Sequence, residues 1–159
     1  MALPHWNMTV VYPGLASPEF SQDFARVIQD INDLVQLFDT HRIMEQTSTP
    51  LNNEMTKAFE TVVERYNAVL DATRTLSAYI MCFVTTNTSD NQAQARMSEL
   101  QQATIDLSQL DTRFTAWIGS LDVEALIDRS ALAREHAAHL VIGHRDPVSV
   151  GIFDARHSA

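Results

Sequence analysis

The sequence predicts an all-α fold, an elongated antiparallel bundle of three long helices plus a shorter C-terminal helix, with an extended N-terminal arm. Apolar residues recur in steps of three and four through three long windows, the period of a helix with one buried face. No glycine or proline interrupts the longest of these windows, which runs to about Thr86. Short runs of Thr, Ser, Asn and Asp separate the windows, so successive helices must double back on one another.

The elements follow in order. Residues 1–16 read as the arm, with Pro4 and Pro13 along it and Gly14 near its end. Ser17-Pro18-Glu19 is a helix start: a hydroxyl cap, a proline in the first turn and a carboxylate at the positive end of the helix dipole. Phe20, Phe24, Val27, Ile28, Ile31, Leu34, Val35 and Phe38 then share one face, and the pattern fades near Glu45. Thr49-Pro50 opens the second helix by the same capping logic. Its stripe is Met55, Phe59, Val62, Val63, Tyr66, Val69, Leu70, Leu76, Tyr79, Ile80 and Phe83. Residues 85–90 form the turn, with Ser89 and Gln92 in a capping-box relation. Met97, Leu100, Leu107, Leu110, Phe114, Trp117 and Ile118 mark the third helix, which Gly119 is expected to terminate. Val123, Leu126, Ile127 and Leu132 mark one shorter helix from Asp122 to about Leu140, closing a helical domain over 17–140. Residues 141–159 lack helical period and read as an irregular tail.

Helix length has a consequence. At 1.5 Å per residue the second helix spans roughly 50 Å, longer than a compact domain of this size, whose radius of gyration is about 15 Å. An elongated bundle with few helices leaves an apolar helix face short of cover. Such a face would meet either a partner or the remainder of a larger fold.

Composition narrows the function classes. With 159 residues, 45% apolar and 19% charged, the chain is a globular single domain rather than a disordered one. Its net charge is −9, and its basic residues are ten arginines and the single Lys57, scattered rather than clustered. That balance argues against a nucleic-acid partner, which needs a basic surface. No window approaches the roughly 20 apolar residues of a membrane span, and the N-terminus lacks a basic region followed by an apolar run. The expectation is a cytoplasmic protein without a membrane partner. Asn7-Met-Thr9 and Asn87-Thr-Ser89 are then chance sequons. Cys82, the one cysteine, lies in Tyr-Ile-Met-Cys-Phe-Val and reads as a small buried hydrophobe rather than a reactive thiol.

Candidate chemistry is sparse. His136 and His139, with Glu135 beside them and His144 further on, form the one cluster of metal-ligating residue types. A pair three apart can share a helix face. A zincin helix, however, needs histidines four apart with a glutamate directly after the first, and Ala137 holds that slot. Exposed histidines are the favoured reading. Glu60 with Glu64, and Asp30 with Asp33, stand at helical spacing but off the apolar stripes, on faces expected to be solvated, where neither pair gains the raised pKa of a general acid. Met44, Met55, Met81 and Met97 read as gap-fillers, and Trp6 and Tyr12 as anchors of the arm. No catalytic, metal-binding or cofactor-binding residue is assigned.

Three segments carry a resemblance: the lead-in Trp6-Asn-Met-Thr-Val-Val-Tyr12-Pro13, residues 79–92, and Trp117-Ile-Gly-Ser-Leu-Asp122. Together they resemble the N-terminal region of the oligoendopeptidase F family of zinc metallopeptidases, over about residues 3–136. Asn7 departs from the family pattern, which has an acid after the tryptophan. The resemblance implies a helical wall and lid of a channel that admits short, unfolded peptides. It also implies that zinc belongs to a parent protein, held by a His-Glu-x-x-His helix and a further glutamate that this sequence does not contain. The chain would then be a non-catalytic N-terminal fragment, not an enzyme as it stands and without a cofactor of its own. Its partner would be the absent catalytic domain. The loss of helical period after Leu140 is what a shifted reading frame would produce. The alternative is a free-standing helical module for protein interaction or self-association through an exposed apolar face.

Overall fold

The computed structural model describes residues 8–44 and 50–137, and every regular element among them is helical. A 3-10 turn over Met8–Val10 leads into α1 (Pro18–Thr40), α2 (Asn53–Thr86), α3 (Asn91–Ser120), α4 (Val123–Arg129) and α5 (Ala131–Glu135). The tail expected over 141–159 lies outside the described residues, as do Trp6 and Thr49.

α1 begins as its sequence dictates. The Ser17 hydroxyl accepts from the backbone N–H of Phe20 at 3.2 Å, Pro18 opens the first turn and Glu19 lies within it. Its end is earlier than the apolar pattern suggests. Arg42 adopts a left-handed backbone with φ 52°, and the N–H of Ile43 returns to the Phe38 carbonyl at 2.8 Å. The N–H of Arg42 bonds the Asp39 carbonyl at 3.1 Å, completing a Schellman stop without a glycine. Ile43, fully buried, supplies the apolar contact that such a stop carries.

α2 starts at Asn53 rather than at Pro50, because the Asn52 side chain caps it by accepting from Met55 N–H at 2.8 Å. α3 is likewise capped by Asp90, which accepts from Ala93 N–H at 3.0 Å, and not by a Ser89–Gln92 box. Asn is a stronger cap than Thr, whereas Asp and Ser are comparable, so capping preference accounts for the first position and not the second. Gly119 does not stop α3. The helix continues to Ser120, and Gly119 has no positive φ. The single C-terminal helix expected from Asp122 to about Leu140 is broken at Ser130, so that the described residues hold two short helices, α4 and α5. Ser130 ends α4 and caps α5, its hydroxyl accepting from Ala133 N–H at 3.2 Å.

Contacts fix an up-down-up bundle. Phe20 meets Tyr79 at one end of the α1–α2 pair, and Phe38 meets Tyr66 toward the other, so those helices run antiparallel. Phe59 stacks on Phe114 with centroids 6.2 Å apart, while Tyr66 donates to the Leu107 carbonyl at 3.1 Å, which sets α3 antiparallel to α2. α1 and α3 run parallel, with Arg96 over the Phe24 ring and Arg113 beside Phe38. At 34 residues α2 is about 50 Å long, which sets the length of the bundle.

The core joins the three long helices and takes in Leu121, Val123, Leu126 and Ala133 from the C-terminal segment. Ile28, Val35, Leu70, Met55 and Phe83, all on the expected stripes, lie at its margin, partly buried. Among the described residues the large exposed hydrophobics are Val10, Val11, Met44, Met81 and Ile105, so no long helix presents more than one of them.

Candidate functional site

The polar and titratable residues that could carry chemistry are dispersed over the bundle. His136, expected on an exposed face, is buried where the chain leaves α5, its N–H bonded to the Leu132 carbonyl at 3.2 Å. The docking of α5 against the core, unreadable from local spacing, accounts for this. His139 and His144 lie outside the described residues. Among the described residues no three His, Cys, Asp or Glu side chains stand close enough to hold a metal ion.

The two carboxylate pairs are drawn apart. Asp30 accepts from Arg65 of α2 at 2.7 Å, while Asp33 takes a bond from Gln29 at 2.8 Å on its own helix. Glu60 is partly buried rather than solvated. It accepts a 2.7 Å hydrogen bond from Ser130, whose side chain is inaccessible to solvent, whereas Glu64 is exposed. The two members of each pair thus differ in their surroundings: Asp30 and Asp33 have separate donors, and Glu60 and Glu64 differ in exposure.

Two further expectations are corrected. Cys82 is exposed, not buried: one residue turns a helix by 100°, and its neighbours Ile80 and Phe83 take the inward positions. Of the four methionines, Met97 fills the core and Met55 sits at its edge, but Met44 and Met81 are about half exposed and fill no gap.

Tyr12 does act as an anchor. Its ring packs edge-on to Phe20 and Tyr79, with centroids at 5.5 and 5.0 Å, and its hydroxyl donates to Asp23 at 3.0 Å. The Tyr79 hydroxyl donates to the Tyr12 carbonyl at 3.0 Å, and Gln92 reaches the Leu15 carbonyl at 3.4 Å. Burial, and then the hydrogen bond and charge of Asp23, push the Tyr12 phenol up to about 12. Burial alone raises Tyr79. Burial and the nearby charge of Asp111 raise Tyr66 further, against the opposing pull of Arg74. Phenols held neutral in this way are structural donors and poor general bases at ordinary pH.

The arm junction therefore unites residues from two of the segments singled out in the sequence. Comparison with protein-family models, curated proteins and solved structures finds no match. The third segment, with Trp117, lies elsewhere, beside Phe114 at a centroid distance of 5.9 Å.

Sequence reasoning missed the interhelix polar ties. Arg113 joins α3 to the end of α1, donating to Asp39 at 2.9 Å and to the Ile43 carbonyl at 3.2 Å. Arg129 donates to the Leu51 carbonyl at 2.9 Å and Ser130 to Glu60, tying the C-terminal segment to the start of α2. Nothing local marks these pairs, whose members stand 70 or more residues apart.

Proposed function

We propose that this chain is a non-catalytic helical domain whose role is architectural, the counterpart of the N-terminal helical region of an oligoendopeptidase F-like zinc metallopeptidase. The observation that carries the reading is the arm junction. Tyr12, from the lead-in that resembles the family, is seated on Tyr79, the first residue of the second resembling segment. Gln92, the last residue of that segment, reaches back to Leu15. A lead-in whose aromatic and backbone are built into the bundle suits a part that shapes a wall, because its position is set by the helices it joins.

In this reading the zinc, the catalytic histidines and the short-peptide substrates belong to a parent protein, and the whole is cytoplasmic. No described helix is long and apolar enough to cross a membrane. The partner would be the catalytic domain of that parent. The second reading is a free-standing helical module. The dispersal of the exposed large hydrophobics among different elements supports a chain that stands alone, but removes the single apolar face through which self-association was expected. A chain that covers its own helix stripes has less need of a missing domain.

The test is to sequence the coding DNA onward from the codon for Leu140 and translate every frame, and to assay the purified chain on short peptides with and without zinc. A downstream His-Glu-x-x-His motif, with no cleavage by the chain alone, supports the peptidase reading. Absence of that motif in every frame, with a defined folded species in solution, refutes it in favour of the module. Zinc-dependent turnover that survives repurification and stops on chelation would overturn both.

A further inference from the structure

The segment formed by α4 and α5 differs in kind from the bundle it rests on. At seven and five residues, both helices are too short to persist alone in water, so their order depends on docking. The docking is specific. Leu126 and Ala133 are fully buried and belong to the common core. Arg129 donates to the Leu51 carbonyl at 2.9 Å.

Ser130 occupies the junction. Its inaccessible hydroxyl accepts from Ala133 N–H, which starts α5, and donates to Glu60 of α2 at 2.7 Å. One side chain thus holds the fold of the segment and its attachment together. The three long helices, by contrast, have their own aromatic contacts and ties, none of which passes through α4 or α5.

We infer that residues 121–136 form a strap that opens and closes as one unit while the three-helix bundle stays folded, with the Ser130–Glu60 hydrogen bond as its latch. Short elements that depend on a few tertiary ties open at lower free energy than long helices with a shared core. Release uncovers the Glu60 carboxylate and the Leu51 backbone on the bundle, together with the apolar undersides of α4 and α5. Closure restores all of these at once, because Ser130 serves both helices.

Native-state amide hydrogen exchange on the whole chain tests this. In the unsubstituted chain the amides of 123–135 should exchange together, and at least tenfold faster than buried amides of α2 and α3. Glu60→Ala removes the acceptor while leaving Ser130 to cap α5. Losing a hydrogen bond to a charged group should accelerate exchange in the strap by roughly tenfold or more, with α1 and α3 unchanged. Glu60→Gln retains an oxygen acceptor and should bring the strap back to within a few-fold of the unsubstituted chain. Equal protection of strap and bundle in the unsubstituted chain would overturn the inference. So would acceleration spread evenly over all helices in Glu60→Ala, or Glu60→Gln exchanging as fast as Glu60→Ala. Should Glu60→Ala fail to fold, the unsubstituted chain and Glu60→Gln decide the question between them.

Discussion

Raising the pH above about 10 should attack this bundle through its tyrosines. The chain has three, and each uses its hydroxyl inside the structure: Tyr12 to Asp23, Tyr66 to the Leu107 carbonyl and Tyr79 to the Tyr12 carbonyl. Burial is the largest cause of the upward shift in all three, and Tyr12 moves from 10.0 to about 12. The folded protein therefore holds these protons more tightly than the unfolded chain. Their contribution to stability is fully present below the unfolded value near pH 10, and is lost as the pH climbs through the folded values. Tyr12 and the more strongly raised Tyr66 each add a slope of up to about 1.4 kcal/mol per pH unit, about 3 kcal/mol per unit together, and Tyr79 adds in the same direction. A domain with a typical stability of 5–15 kcal/mol cannot absorb that for long, and unfolding is expected between about pH 11 and 12. Tyrosinate absorbance and far-ultraviolet circular dichroism, followed in one alkaline titration at constant ionic strength, provide the assay. The two curves should rise together and steeply, with no tyrosine ionising while the helices are intact. A tyrosine that titrates near pH 10 with the helical signal unchanged would refute the argument.

Other expectations rest on single positions. Gly119→Ala should raise stability by about 0.5–1 kcal/mol in a denaturant titration, because Gly119 lies within α3 and an added Cβ meets nothing within 4 Å. A loss of stability there would mean that the end of α3 needs glycine's freedom after all. Arg113→Ala should cost about 1–2 kcal/mol, since it removes a bond to the Ile43 carbonyl and a cation over Phe38 as well as the ion pair. Asp39→Ala should cost less than about 1 kcal/mol, its carboxylate side chain being 64% exposed. Equal losses would show that the pair with Asp39 dominates. Cys82 should react with a thiol reagent in the folded protein without denaturant, as its exposure requires. Protection until unfolding would place it back in the core.

The candidate site was less legible in the sequence than the fold. The spacing of Glu60 and Glu64 correctly put both on α2, but spacing carries no record of Ser130, 70 residues away, which draws Glu60 inward. Local spacing places His136 on a solvent face because its burial depends on where α5 docks, and α5 itself exists only because Ser130 interrupts the helix. Tyr12 was read correctly as an anchor because an aromatic beside Pro13 needs apolar cover wherever the arm lies. Its partners Asp23 and Tyr79 were not visible.

The sequence by itself determined what local physics can write: three long helices, the face each buries, and a start at Ser17 enforced by a hydroxyl three residues from the N–H it caps. Such interactions span one turn and are complete within a short window. Tertiary structure decided where α1 stops, since a left-handed Arg42 is held by the burial of Ile43 against the core. It decided the break at Ser130 and the inward position of Glu60, a buried hydroxyl and a partly buried carboxylate joined by one hydrogen bond. It also decided that Cys82 faces water, because Tyr79, Ile80 and Phe83 together cover more apolar area facing the core than a lone thiol does. A short window encodes a helix and its polarity of faces; the rotation and docking of that helix are set by the sum of contacts made with chain far away.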